Sequence, residues 1–137
     1  MNLSQAALKY VNTPFLHRGR TLHGVDCIGL ILLAAIDCGY VPANIPTYGR
    51  EPRNGLLSYG LQDRLGKPLE RDLQANDIVV QRLHEGGEPS HVGIITDHPH
   101  GLGIVHAYGE IGRVVHQRLS DARRRLITEA YQWQGKS

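Results

Sequence analysis

Cysteine is scarce in this chain: Cys27 and Cys38 are the only two, and they stand eleven residues apart. If both lie on one helix, roughly 16 Å of axis separates them at 1.5 Å per residue. A disulfide needs Cα atoms within roughly 7 Å, so the pair cannot close without destroying that helix. Charge of one sign is lacking as well. Fifteen basic residues against thirteen acidic leave a net charge of +2, too weak a bias to argue for nucleic acid or a membrane surface. The run Arg123-Arg124-Arg125 follows a Ser-Asp cap and reads as the solvated side of a terminal helix or strand. Met1-Asn2-Leu3-Ser4-Gln5 lacks a basic segment followed by an apolar one, so no secretory leader is expected and the chain reads as made in the cytoplasm. The longest apolar run, just after Cys27, is too short to span a bilayer. There is no internal repeat and no low-complexity tract. What remains is 137 residues, 41% hydrophobic and 20% charged, which reads as one globular domain, 1–137, able to bury a core without staples.

Helices come first and strands after, which predicts an α+β fold rather than an alternating one. Residues 3 to 11 have the spacing of a short amphipathic helix. Residues 14 to 24, rich in Gly, Arg and His, read as a loop. A strongly apolar helix follows from Cys27 and stops at Gly39, a good residue just beyond a helix end. Pro42, Pro46, Gly49, Pro52 and Gly55 predict a long irregular connection, and residues 56 to 65 return to helical spacing. Strand-like runs then occupy 78–82, 91–96, 103–108 and 113–119. The Gly-rich turns between them predict an antiparallel meander.

The sharpest chemical signal is Gly24-Val25-Asp26-Cys27-Ile28-Gly29-Leu30. Asp26 is suited to cap the helix, which puts Cys27 in the first turn. Orphan N–H groups and the positive end of the helix dipole converge there, and that environment favours the nucleophilic thiolate. A nucleophilic cysteine needs a base, and the base needs a partner to orient it. His91, preceded by Ser90, is the candidate base, and His106 the candidate orienting group. Residues alternate faces along a strand, so both imidazoles can project from one face of neighbouring strands. A helix packed on that face would deliver Cys27 to them. Blander readings stand beside this one. A cysteine in an apolar helix is usually core, and a histidine on a strand is usually structural. His98-Pro99-His100 falls in an exposed turn. Cys27, His91 and His106 are all zinc-ligand types, but they lack the close pairs of familiar zinc sites.

The order and context of these residues resemble the NlpC-type cell-wall cysteine peptidases, which have a papain-like α+β fold. The resemblance runs from Thr13 to the end of the chain. It is carried by Thr13-Pro14-Phe15, by Gly24 to Leu30, by Leu73-Gln74-Ala75-Asn76-Asp77-Ile78-Val79, by Ser90-His91-Val92-Gly93-Ile94 and by Val105-His106-Ala107. It implies Cys27 as nucleophile, His91 as general base and then acid, and His106 as the polar third member. It also implies backbone N–H groups of Cys27 and Ile28 at the oxyanion, and Phe15, His17, Asp26 and Ser90 around the substrate. The implied substrate is the peptide stem of peptidoglycan, cut without a cofactor. Short length and the segment Ile45-Pro46-Thr47-Tyr48-Gly49-Arg50 are similar to the phage tail-associated subgroup. That likeness implies tail-tip partners and a place on the virion tail, acting at the host wall. A structural tail subunit and a secreted amidase toxin are the alternatives. Three positions depart from the family pattern. Phe15 stands where a tyrosine is common, with His17 or Arg18 as candidate compensation. Ile28 stands where serine is common. Asn76 replaces a glycine, a mild change because asparagine tolerates a left-handed turn.

Overall fold

The computed structural model describes residues 1–40, 61–62 and 65–133. Helix α1 (Leu3–Leu8) starts in a capping box between Asn2 and Gln5, which satisfies two backbone donors reciprocally. It is shorter than the expected 3–11: the chain leaves the helix in turns, and Asn12 takes a left-handed φ of 78°. Helix α2 (Cys27–Asp37) begins at Asp26 as expected. Its other end is a Schellman motif, in which Gly39 N–H donates to Ile36 O and Tyr40 N–H donates to Ala35 O. Gly39 sits at φ 84°, a conformation that side-chain-bearing residues resist.

Between the two helices, residues 14–24 are not the plain loop that their composition predicts. Strands β1 (Arg20–Thr21) and β2 (Gly24–Val25) pair antiparallel. Phe15 bridges to Val25 alongside them. The expected connection over 42–55 lies outside the described residues, as does most of the helical spacing over 56–65. Leu61 and Leu65 from that stretch are buried.

The second half is one five-stranded sheet made of β3 (Ile78–Gln81), β4 (His91–His98), β5 (Gly101–Tyr108), β6 (Arg113–Arg118) and β7 (Ile127–Tyr131). Their order is β6-β5-β4-β3-β7, with every pair antiparallel. The meander is therefore as expected, and β7, which the sequence reading lacks, returns to pair with β3. The arginine run falls largely on a four-residue helical turn, Asp121–Arg124, capped by Ser120. Asn76 takes φ 80° before β3, the left-handed turn that its replacement of glycine requires. Its side-chain oxygen accepts from Ser4 N–H at 2.9 Å and so ties α1 to the start of the sheet.

Alternation along the strands divides the core. Ile78, Val80, Val92, Ile94, Val105 and Ala107 pack with both helices. Val79, Ile95 and Ile104 pack on the other face with Leu119 and Ala130. Each fully buried aliphatic side chain of α2, such as Leu30 at 0% exposure, contributes about 1.5–3 kcal/mol. This division corrects one expectation. His91 and His106 share the face of the second set, two-residue steps from Ile95 and Ile104, so α2 packs on the face opposite the histidines. Cys27, at the tip of α2, lines one cleft with His91 at the start of β4 and Tyr108 at the finish of β5. Among the described residues no helix is long and apolar enough to cross a membrane.

Candidate active site

The cysteine is placed by its neighbour. Asp26 is buried, and its carboxylate accepts from two backbone donors, Gly29 N–H at 2.7 Å and Arg18 N–H at 3.0 Å. One bond caps α2 and the other binds the preceding loop to it. A Cβ on Gly29 would collide with the carbonyl oxygen of Gly19, so only glycine permits this close crossing of loop and helix. Cys27, 6% exposed, is the first residue of α2 and reaches the wall of a cleft of about 460 Å3. That volume lies in the usual range for small-ligand sites. Neither cysteine is in a disulfide.

The same cleft is lined by His91, the first residue of β4. Its Nε2 lies 2.7 Å from Nδ1 of His106, which is completely buried in the middle of β5. Gly93 makes this approach possible, because a Cβ there would press on His106 Cβ at 3.2 Å and on the Ile104 side chain. The Tyr108 ring meets His91 edge-on at a centroid distance of 5.9 Å and His106 at 5.3 Å. Burial first, then His106 and the positive charge of Arg123, push the imidazolium of His91 well below its ordinary range. Burial likewise lowers His106 to about 4, with Arg123 adding to the shift and a hydrogen bond to Gln117 opposing it. Both rings are neutral at pH 7.

The structure brings most of the expected site residues together. Phe15, His17, Asp26, Cys27, Ser90 and His91 all line the cleft. His106 stands behind His91 rather than on the wall. Ile28 does not line the cleft, and its side chain is sealed in the helix-side core at 0% exposure. His98 ends the strand that His91 begins, about 23 Å away at the rise of a β-strand. It gathers there with His100 and His116, well apart from the cleft. Leu83, Tyr108, Gly109 and Glu110 complete the walls, and none of them was singled out by the sequence. Tyr108 shares a strand face with His106, two residues on, and that spacing was the available signal. Its hydroxyl donates to Glu110 Oε2 at 3.3 Å. Burial and Glu110 raise its pKa.

By sequence, no family model and no curated protein matches the chain. Solved structures do. An NlpC/P60 family protein from Bacillus cereus superimposes with a TM-score of 0.67 at 18% identity, over 96% of this chain and 39% of that one. The chain has the NlpC/P60 fold. The NlpC/p60 domain of the peptidoglycan hydrolase SagA matches with a TM-score of 0.65 at 17% identity, over 95% of each chain. An N-acetylmuramoyl-L-alanine amidase from Bacteroides uniformis matches at 0.61 and 11% identity, over 99% of each. The chain spans about two-fifths of the length of the Bacillus protein. The expected papain-like α+β architecture is borne out.

Proposed function

We propose that this protein is a peptidoglycan hydrolase, a cysteine peptidase that cuts amide bonds in stem peptides through Cys27, His91 and His106. One observation carries the reading. A cysteine at the first turn of a helix and a histidine hydrogen-bonded to a second, buried histidine line the same cleft. The hydrolase and amidase among its fold neighbours support the substrate class.

Burial holds the His91 ring neutral, so it is available as a base. As Cys27 Sγ bonds to the scissile carbonyl carbon, its proton passes to His91. The carbonyl electron pair moves to oxygen, where the Cys27 backbone N–H at the helix start stabilises it. Collapse of this intermediate breaks the C–N bond, and His91 returns the proton to the leaving amine. Water then adds to the thioester while His91 takes its proton, and the carboxylic acid departs as the thiol is restored. His106 supports the transient imidazolium on His91. No cofactor enters the route. Phe15, His17 and Ser90 shape the walls that receive the peptide.

Purified protein should release fragments from isolated sacculi, and Cys27→Ala should lower the rate by orders of magnitude, since nucleophile and base act as a unit. Equal turnover by the variant would refute the assignment. The sequence resemblance extends the proposal to a phage tail-associated enzyme for local wall degradation. It rests in part on residues 45–50, which lie outside the described residues. Mass spectrometry of purified particles tests it, and absence of the protein from them would remove the tail assignment while leaving the chemistry intact.

A further inference from the structure

We propose that Gln117 sets the proton positions of the histidine pair, acting as a positioning residue that leaves the Nδ1 lone pair of His91 available to the cleft; its consequence for catalysis rests on the cysteine-peptidase reading above. A neutral imidazole has one N–H and one in-plane lone pair. Both ring nitrogens of His106 are engaged: Nδ1 lies 2.7 Å from His91 Nε2, and Nε2 lies 2.8 Å from Gln117 Oε1. An amide oxygen accepts and never donates. His106 therefore carries its proton on Nε2 and donates it to Gln117. Its Nδ1 is left as an acceptor, so His91 Nε2 is the donor in the bond between the rings. With that proton directed into the protein, the second nitrogen of His91 holds a lone pair. This is the form that can take a proton from a thiol.

The reverse arrangement shows what the glutamine decides. If Gln117 presented its NH2 group, His106 Nε2 would accept, His106 Nδ1 would donate, and His91 Nε2 would accept in turn. His91 would then carry its proton on Nδ1 and have no lone pair left for a substrate or nucleophile. The fold places the amide for its task. In the β5–β6 register His106 faces Val115 and Ile104 faces Gln117, so Gln117 lies diagonally across from His106 on the same sheet face. His106 is 0% exposed, and with the amide gone its Nε2–H faces a sealed interior. The two proton arrangements of the pair are then no longer held apart by that bond.

Nitrogen-15 NMR of the intact protein labelled at histidine reads the tautomers directly. At pH 8 we expect both His91 and His106 as the Nε2–H form. Gln117→Leu should mix the two forms or reverse them, and should lower kcat about tenfold, the scale of one lost hydrogen bond, with KM unchanged. Gln117→Glu, whose carboxylate can only accept, should restore the Nε2–H form and most of kcat. A proton on His91 Nδ1 in the unmodified protein overturns the proposal, as does an unchanged tautomer in Gln117→Leu. If the leucine variant fails to fold, the same reading on Gln117→Asn and Gln117→Glu decides. The NMR result does not depend on hydrolysis, so an Nε2–H pair in a protein that leaves sacculi intact would count against the peptidase reading alone.

Discussion

Replacing Asp26 by alanine tests whether one buried carboxylate both starts the nucleophile helix and locks the loop before it. Oδ1 accepts from Gly29 N–H at 2.7 Å and Oδ2 from Arg18 N–H at 3.0 Å, in a residue only 4% exposed. Loss of the cap bond costs about 1 kcal/mol. The N–H of Arg18, an exposed residue, also loses its charged acceptor, and a hydrogen bond to a charged group adds about 1–2 kcal/mol. The sum, about 2–3 kcal/mol, should shift the urea midpoint without changing the slope, and should lower Tm by about 10 °C for a domain of this size. Asp26→Asn keeps one oxygen for Gly29 and should lose about half as much. An alanine variant within about 0.5 kcal/mol of the parent, the range of ordinary surface changes, would show that α2 and its cysteine are held by core packing and that the cap is incidental.

Stability should also depend on pH through the histidine pair. Burial, aided by Arg123, holds folded His106 near 4, while the unfolded chain takes up that proton near pH 6.5; the unfolded state binds more protons in between, so stability is full above pH 6.5 and is lost as pH falls toward 4, by about 3 kcal/mol from His106 alone. Urea unfolding at pH 7.5, 6.5 and 5 measures this, and a flat profile between 6.5 and 5 contradicts burial of neutral rings. Tyr108→Phe keeps the ring against His91 and removes the hydroxyl from the cleft wall. We expect kcat/KM on stem peptide to fall about fivefold, one hydrogen bond's worth, with the unfolding midpoint unchanged; full activity would show that the hydroxyl never meets the substrate.

The residues that announce the site are those whose local chemistry is self-contained. Asp26, Cys27 and Gly29 form a cap, a first turn and a close crossing within four positions, and a helix start can be read from that much sequence. His91 and His106 became legible once two strands and a tight turn joined them, because a period of two fixes which residues share a face. The face that α2 covers was not legible. Residues 91 to 96 of β4 are buried without interruption, so neither side of the strand is marked as polar, and the helix was assigned to the wrong one. Gln117 and β7 were missed for a related reason. A glutamine on an edge strand looks solvated until the register brings it diagonal to His106, and Ile127–Tyr131 has no alternation to mark it, being half-buried over Ile127 to Glu129 and then buried. The β1–β2 hairpin has two residues per strand, too few to show any period.

Phe15 looked like a loss, since it keeps a ring where the resemblance expects a phenol. The cleft restores the balance from another element. A Cβ on Gly109 would stand 3.6 Å from the tip of the Phe15 ring, an ordinary van der Waals distance, so the turn after β5 runs directly alongside that ring. The residue just before this glycine is Tyr108, which lines the same cleft and whose hydroxyl donates to Glu110, another lining residue. Ring and hydroxyl are thus divided between two segments that touch, one ahead of the nucleophile helix and one at the end of the strand that carries His106. Neither His17 nor Arg18 has to replace the hydroxyl. Arg18 gives its backbone N–H to Asp26 and is not among the residues that line the cleft. The contact of Phe15 with Gly109 joins the cysteine's loop to the histidines' sheet, beside the backbone bonds from Phe15 N–H to Gly112 O and from Asn12 N–H to Val114 O. Because a Cβ at 109 would meet Phe15 at an ordinary distance, Gly109→Ala should leave both the cleft and the turnover of stem peptide intact.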